Sequence, residues 1–293
     1  MPSISLYRHG MTASIPNPKG NPNPPKRGKV GGWSAAAARR NVKFLRSVDE
    51  RELSGVGYAV TLTVRDCPPT PEAWSKAVKA WLMRQRRAGM LRVHWVMEFQ
   101  RRGVPHLHAA IWFDDRDTGT VLGNARMLAE REYRLKRDWV DLTEGFRALM
   151  ISQHVRVIDA AVGWFEYLAK HCSRGKYHYQ RQRESVPKAW ESSGRVWGHS
   201  KGWATQGVET RPLSKVEFHR LRRLVRARRV AEARRGLPLN AKQFGRCRRL
   251  LKCGQRKASE VRPVSEWMPE SEQARFAHAA RRRFTPPGSL PKA

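Results

Sequence analysis

Apolar positions along the chain repeat with two different periods. Residues 57–64 (GYAVTLTV) are rich in β-branched and aromatic side chains and predict a strand, stopped by Pro68 and Pro69. Residues 91–99 and 106–113 predict two more strands. They are joined by QRRGVP, whose Gly103 and Pro105 are turn formers. A short strand is predicted over 154–158. Between these runs the period lengthens to that of a helix. Thr70 is placed to cap, and Pro71 to open, an amphipathic helix on which Trp74, Val78, Trp81, Leu82 and Gln85 share one side. Gly89 lies just past its end. Such a stripe predicts core packing rather than a nucleic-acid stacking surface. Further helices are predicted over 34–47 with Ser34 as N-cap, over 122–150 and over 160–172. The mixture predicts an α+β domain.

The texture changes at both ends. Residues 1–29 hold Pro16, Pro18, Pro22, Pro24 and Pro25 among Gly, Asn and Lys, and predict a flexible basic segment. After about residue 205 an arginine-studded helix is predicted over 213–235, followed by basic sequence of low hydrophobicity. The expected division is therefore 1–29 flexible, 30–205 catalytic, and 206–293 basic and largely helical. No internal repeat is apparent.

Charge sharpens this picture. Lys and Arg number 58 against 25 Asp and Glu, a formal +33 with an isoelectric point near 11.3. So one-sided an excess points to a polyanion, and nucleic acid is the commonest one for a basic protein. Cys67, Cys172, Cys247 and Cys253 are scattered without a CxxC pair, which argues against a zinc knuckle or a disulfide framework. No apolar run reaches the length of a membrane helix and no secretory leader is evident, so a cytoplasmic protein is expected.

Two groups of residues carry candidate chemistry. His106 and His108 flank Leu107 on a strand, so alternation turns both imidazoles to one face. Glu98, on the preceding strand of the same hairpin, joins them if the pairing register has an even sum; an odd register would send it to the other face. Two nitrogens and a carboxylate would hold a divalent metal with positions left open for a substrate oxygen. His94 shares the strand face of Glu98 and is a candidate fourth ligand or supporting partner. On the helix over 160–172, Tyr167, Lys170 and His171 fall near one face, with Phe165, Leu168, Ala169 and Cys172 opposite. A phenol of pKa about 10 is a weak nucleophile, and a nearby ammonium and a metal-bound phosphate would favour its attack. Tyr177 and Tyr179, among basic residues in GKYHYQRQR, suit stacking on bases.

These segments resemble those of the HUH endonuclease superfamily. GVPHLHAAI looks like its His-hydrophobe-His motif, VTLTV like the strand motif before it, and EYLAKH like its Tyr-x-x-Lys motif, in the same order along the chain. GRVWG at 194–198 is similar to a later stretch of rolling-circle replication initiators from plasmids and filamentous phages. The resemblance covers about 27–205. It implies an antiparallel central sheet carrying the His strand, flanked by helices. It implies Mg or Mn held by Glu98, His106 and His108, and attack by Tyr167 on single-stranded DNA at a replication origin, with Lys170 beside the phosphate. The 5′ end would stay on the tyrosine while the freed 3′-hydroxyl primes a host polymerase, with a host helicase as further partner. Some relatives carry a second tyrosine four residues earlier, where this chain has Gly163. An HUH transposase or relaxase would share the chemistry, and a non-catalytic basic nucleic-acid-binding protein is the reading outside enzymes.

Overall fold

The prolines near the N-terminus predict a flexible segment over 1–29, but its first part is folded. In the computed structural model, which describes residues 1–15, 32–115, 119–172, 187–235 and 264–281, Ser3–Tyr7 (β1) and Gly10–Ser14 (β2) pair as an antiparallel hairpin. β1 also pairs with Glu209–Pro212 (β8), and β2 with Val264–Glu266 (β9), so the hairpin is the middle of a four-stranded sheet ordered β8-β1-β2-β9. Five-residue strands among small polar residues carry little periodic signal, and their partners lie some 200 residues away. The five prolines themselves fall outside the described residues.

The chain divides into two units, one comprising Met1–Asn23 with Gln206–Ala293, the other Pro24–Thr205. In the first, the helices are Lys215–Arg235 (α5) and Glu270–Arg281 (α6). α5 begins at a capping box in which the Glu217 amide donates to Ser214 Oγ and the Ser214 amide to the Glu217 carboxylate. Its buried Phe218, Leu221 and Val225 recur at helical spacing and pack with Ile4, Met11 and Ala13 of the hairpin. The region expected to be largely helical thus contributes two strands as well.

The second unit is built on an antiparallel sheet of five strands: Val56–Thr63 (β3), Met90–Phe99 (β4), Pro105–Phe113 (β5), His154–Val157 (β6) and Trp197–His199 (β7). Their order is β6-β3-β5-β4-β7. One face holds Tyr58, Val60, Leu62, Met97, Leu107 and Ile111 and packs against helices Pro71–Arg87 (α2) and Val121–Leu142 (α3). α2 starts as its sequence predicts, with Thr70 Oγ1 accepting from the Ala73 amide and Pro71 in the first turn. Trp74 and Trp81 meet Trp139 of α3 edge to face. Trp81 and Trp139 each satisfy the indole N–H on a backbone carbonyl, of Leu135 and Thr63 respectively. α3 ends at Leu142 instead of running to 150. There Thr143 Oγ1 donates to the Trp139 carbonyl, and Arg147 enters the left-handed region at φ 52°. Two 3-10 turns, Glu144–Phe146 and Met150–Ser152, complete the connection.

The opposite sheet face carries Thr61, Thr63, His94, Glu98, His106 and His108, with the helices Ala35–Ser47 (α1) and Ala161–Cys172 (α4) packed together on that side. Among the described residues, no helix is long and apolar enough to cross a membrane.

Candidate functional site

The β4–β5 hairpin closes through a turn in which the Gln100 amide donates to the Val104 carbonyl and Gly103 takes φ 78°. That turn sets the register. Glu98 stands directly opposite His106, and Val96 opposite His108. The sum is even, so Glu98 shares its face with both imidazoles. The ligand atoms of Glu98, His106 and His108 all lie within 4.8 Å of one another. Glu98 Oε2 is 3.9 Å from His108 Nε2, and the two imidazole rings are 4.4 Å apart. Donors each about 2.1 Å from one ion stand at most about 4.2 Å apart, so the Glu98–His108 pair already has a suitable spacing. Two nitrogens and one carboxylate fit Mn2+ more readily than Mg2+, which prefers an all-oxygen shell.

Burial gives this cluster its fixed geometry. Glu98 and His108 are almost fully buried, and His106 partly so. Thr61, opposite His108 on β3, places Oγ1 2.9 Å from His108 Nδ1. The side-chain amide of Gln100 lies 3.3 Å from His106 Nδ1 and is itself held by Thr63 and by Arg102. Both Nδ1 atoms thus have a neighbour that fixes the ring. The Thr61 hydroxyl can accept the His108 Nδ1 proton, which leaves the Nε2 lone pair for an ion. The Gln100 NH2 instead donates to His106 Nδ1, and ligation through His106 Nε2 requires that side-chain amide to present its oxygen. Thr63 is steadied in turn by Gln153, whose amide takes the Thr63 N–H and donates to its carbonyl, continuing the ladder where β6 stops. Thr61 and Thr63 are the polar positions of VTLTV, so alternation places them on the site face. Gln100 has no comparable signal.

α4 brings the tyrosine. Phe165, Leu168 and Ala169 are buried on one side of this helix, which packs on β4 and β5. The other side turns Tyr167, 36% exposed, toward the cluster, its ring edge-on to His108 with centroids 5.5 Å apart. Trp164 stacks on Tyr167 at 4.7 Å and 20°, and its indole N–H donates to the Ala109 carbonyl next to His108. Lys170 is exposed on the same helix. The side chain of His171, and Tyr177 and Tyr179 entirely, lie outside the described residues. A Cβ at Gly163 would meet nothing within 4 Å.

His94 departs from expectation. It is fully buried, with its Nε2 2.6 Å from Asn41 Oδ1 of α1 and its ring stacked on Phe44. It is not among the three clustered ligands, because two strand positions further along β4 from Val96 it meets α1 instead of β5's histidines. Burial, with a smaller contribution from His199, pushes its pKa down to about 3, so it serves as a neutral packing residue.

Comparison with known proteins identifies the family. The family model "Replication-associated protein ORF2/G2P" matches residues 57–176, from β3 through the histidines to just beyond α4. The chain is 40% identical over 284 residues to the replication-associated protein G2P of Pseudomonas phage Pf3, covering 93% of this chain and 94% of that one. It is 42% identical over 276 residues to a protein of Xylella fastidiosa (strain 9a5c) described as a replication protein, covering 92% and 93%. A similar protein of strain Temecula1 is 41% identical over 275 residues, covering 91% and 99%. No solved structure matches the chain. Near-full-length similarity at this level, with the matched segment spanning Glu98, His106, His108 and Tyr167, places the chain in the ORF2/G2P family of replication-associated proteins.

Proposed function

We propose that this protein initiates rolling-circle replication as an HUH-type endonuclease, nicking single-stranded DNA at the origin through Tyr167. The observation that carries the reading is the Tyr167 ring seated against His108 of the three-ligand cluster. Glu98, His106 and His108 would hold Mn or Mg, and the ion would supply positive charge to polarise the scissile phosphate. Thr61 would hold His108 with its Nε2 toward the ion, and Gln100 fixes the plane of the His106 ring. The Tyr167 oxygen bonds to phosphorus, the bond from phosphorus to the 3′ oxygen breaks, and the phenolic proton ends on the departing 3′-hydroxyl. Lys170 neutralises charge on the phosphate. The 5′ end stays covalently on the protein, so the bond energy is conserved and the step can be reversed to rejoin strands. The 3′-hydroxyl then primes a host polymerase behind a host helicase. The basic residues of α5 hold DNA through its phosphates.

The test is incubation of the wild type and Tyr167→Phe with a single-stranded origin oligonucleotide and Mn2+. Wild type should give a nick and an adduct that mass spectrometry maps to Tyr167. The variant should bind equally and give neither. Cleavage without an adduct would indicate water as nucleophile. Binding without cleavage under any metal would leave a non-catalytic DNA-binding protein. An adduct on Tyr177 or Tyr179 would move the nucleophile.

A further inference from the structure

The sheet face turned away from the metal cluster carries a second candidate site. α2 covers β4 only partly there, leaving a groove of about 380 Å3 between the helix and the β4–β7 edge. Trp95 of β4 lines it, packed on one side against the core and only partly buried. Its partner on β7 is Gly198. A Cβ at that position would lie 3.1 Å from Cε2, Cζ2 and Nε1 of the indole, so glycine is what lets the ring lie across β7. Leu82 and Met83 form an apolar wall beside it, and Met83 is 48% exposed. Lys79, Arg86 and Arg195 stand at the rim, and no carboxylate occurs among the described lining residues.

A partly exposed indole with three cations and no carboxylate among the described lining residues suits a chain of planar bases joined by phosphates. Its uncharged polar side chains are those of Ser75, His199 and Ser200. The Ser200 hydroxyl, one of its few polar groups, is occupied by the Val93 amide and the Lys201 carbonyl. Stacking needs no such groups and tolerates any base. We propose that this groove is a second, sequence-independent subsite for single-stranded DNA, in which a base stacks on Trp95 and flanking phosphates pair with Lys79, Arg86 and Arg195. The proposal rests on the reading of this protein as one that acts on DNA. The sheet separates the groove from the cluster, so DNA held there is a different stretch from the one being cut. A strand leaving the cut site would be retained at the protein's back.

The test uses the full chain and a 30-nucleotide strand of mixed sequence carrying 5-iodouracil. Irradiation should join the base to the protein, with fragment spectra placing it on Trp95 itself. The triple variant Lys79→Ala/Arg86→Ala/Arg195→Ala should keep the wild-type melting profile. It should lose that cross-link and bind the 30-mer at least about tenfold more weakly. The slope of log affinity against log salt should fall by about 2, since each phosphate contact on a single strand contributes about 0.7. Cleavage of a short oligonucleotide confined to the cut site should be unchanged. If the nicking reading fails, cleavage is missing from the wild type too, while binding and cross-linking still report on the groove. A folded triple variant with an unaltered slope, or cross-links that avoid Trp95, would overturn the proposal. So would a synthetic peptide of aspartates around one phenylalanine that binds through these three cations when the 30-mer does not, which would make the groove a protein-docking surface.

Discussion

Trp164 offers a sharp test of how the tyrosine is held. Its indole lies on the Tyr167 ring at 4.7 Å and is itself anchored by a 3.3 Å hydrogen bond to the Ala109 carbonyl. An aromatic pair of this kind contributes about 0.5–1.5 kcal/mol beyond its area. In Trp164→Ala the phenol loses this stacking face and gains freedom to rotate away from His108. If about 1–1.4 kcal/mol of orientation is lost, the chemical step slows about five- to tenfold, because 1.36 kcal/mol is a factor of ten in rate. The assay is single-turnover cleavage of the origin oligonucleotide at saturating protein and Mn2+, with adduct formation followed on a gel. The rate should fall while the DNA concentration for half-maximal binding stays the same. Trp164→Phe, which restores a stacking face without the indole donor, should recover most of the rate. A purely structural role would instead lower the melting temperature and weaken binding together. Trp164→Ala cutting at the wild-type rate, with its adduct on Tyr167, would refute the reasoning.

Three further outcomes are expected. Mn2+ at about 100 times its Kd should stabilise the wild type by about 2.7 kcal/mol in thermal melts, and His108→Ala should lose both this shift and cleavage; a retained shift would place the ion elsewhere. Unfolded His94 titrates near 6.5 but burial holds it at about 3 in the fold, so between these values the unfolded state binds the extra proton. Stability should be full above pH 6.5 and lower by about 2 kcal/mol at pH 5; urea melts of His94→Gln, which keeps a donor for Asn41, should show a flatter dependence, and an unchanged one would assign the loss to other groups. Deleting residues 1–14 removes the two central strands of the β8-β1-β2-β9 sheet; amide exchange should show α5 losing protection while β3, β4 and β5 keep theirs, and a protected α5 would mean that it folds without the hairpin.

What the sequence determined by itself is whatever neighbours along the chain decide. Thr70, Pro71 and the Trp74–Trp81 stripe specify α2 because caps and helical periodicity act within a few residues. The alternation around Leu107 puts His106 and His108 on one face for the same reason, and a three-residue step keeps Tyr167 near Lys170 on α4. Tertiary structure decided the rest. Glu98 joins the histidines only because the Gln100–Val104 turn fixes an even register, which either strand alone leaves open. His94 and Glu98 share a strand face, yet packing gives one to Asn41 and the other to the ligand cluster. Tyr167 meets His108, and Gln153 holds Thr63, across separations that no local pattern encodes. The N-terminal hairpin is the plainest case: its five-residue strands have weak local preference, and burial of Ile4, Met11 and Ala13 under α5 is what makes them the middle of a sheet.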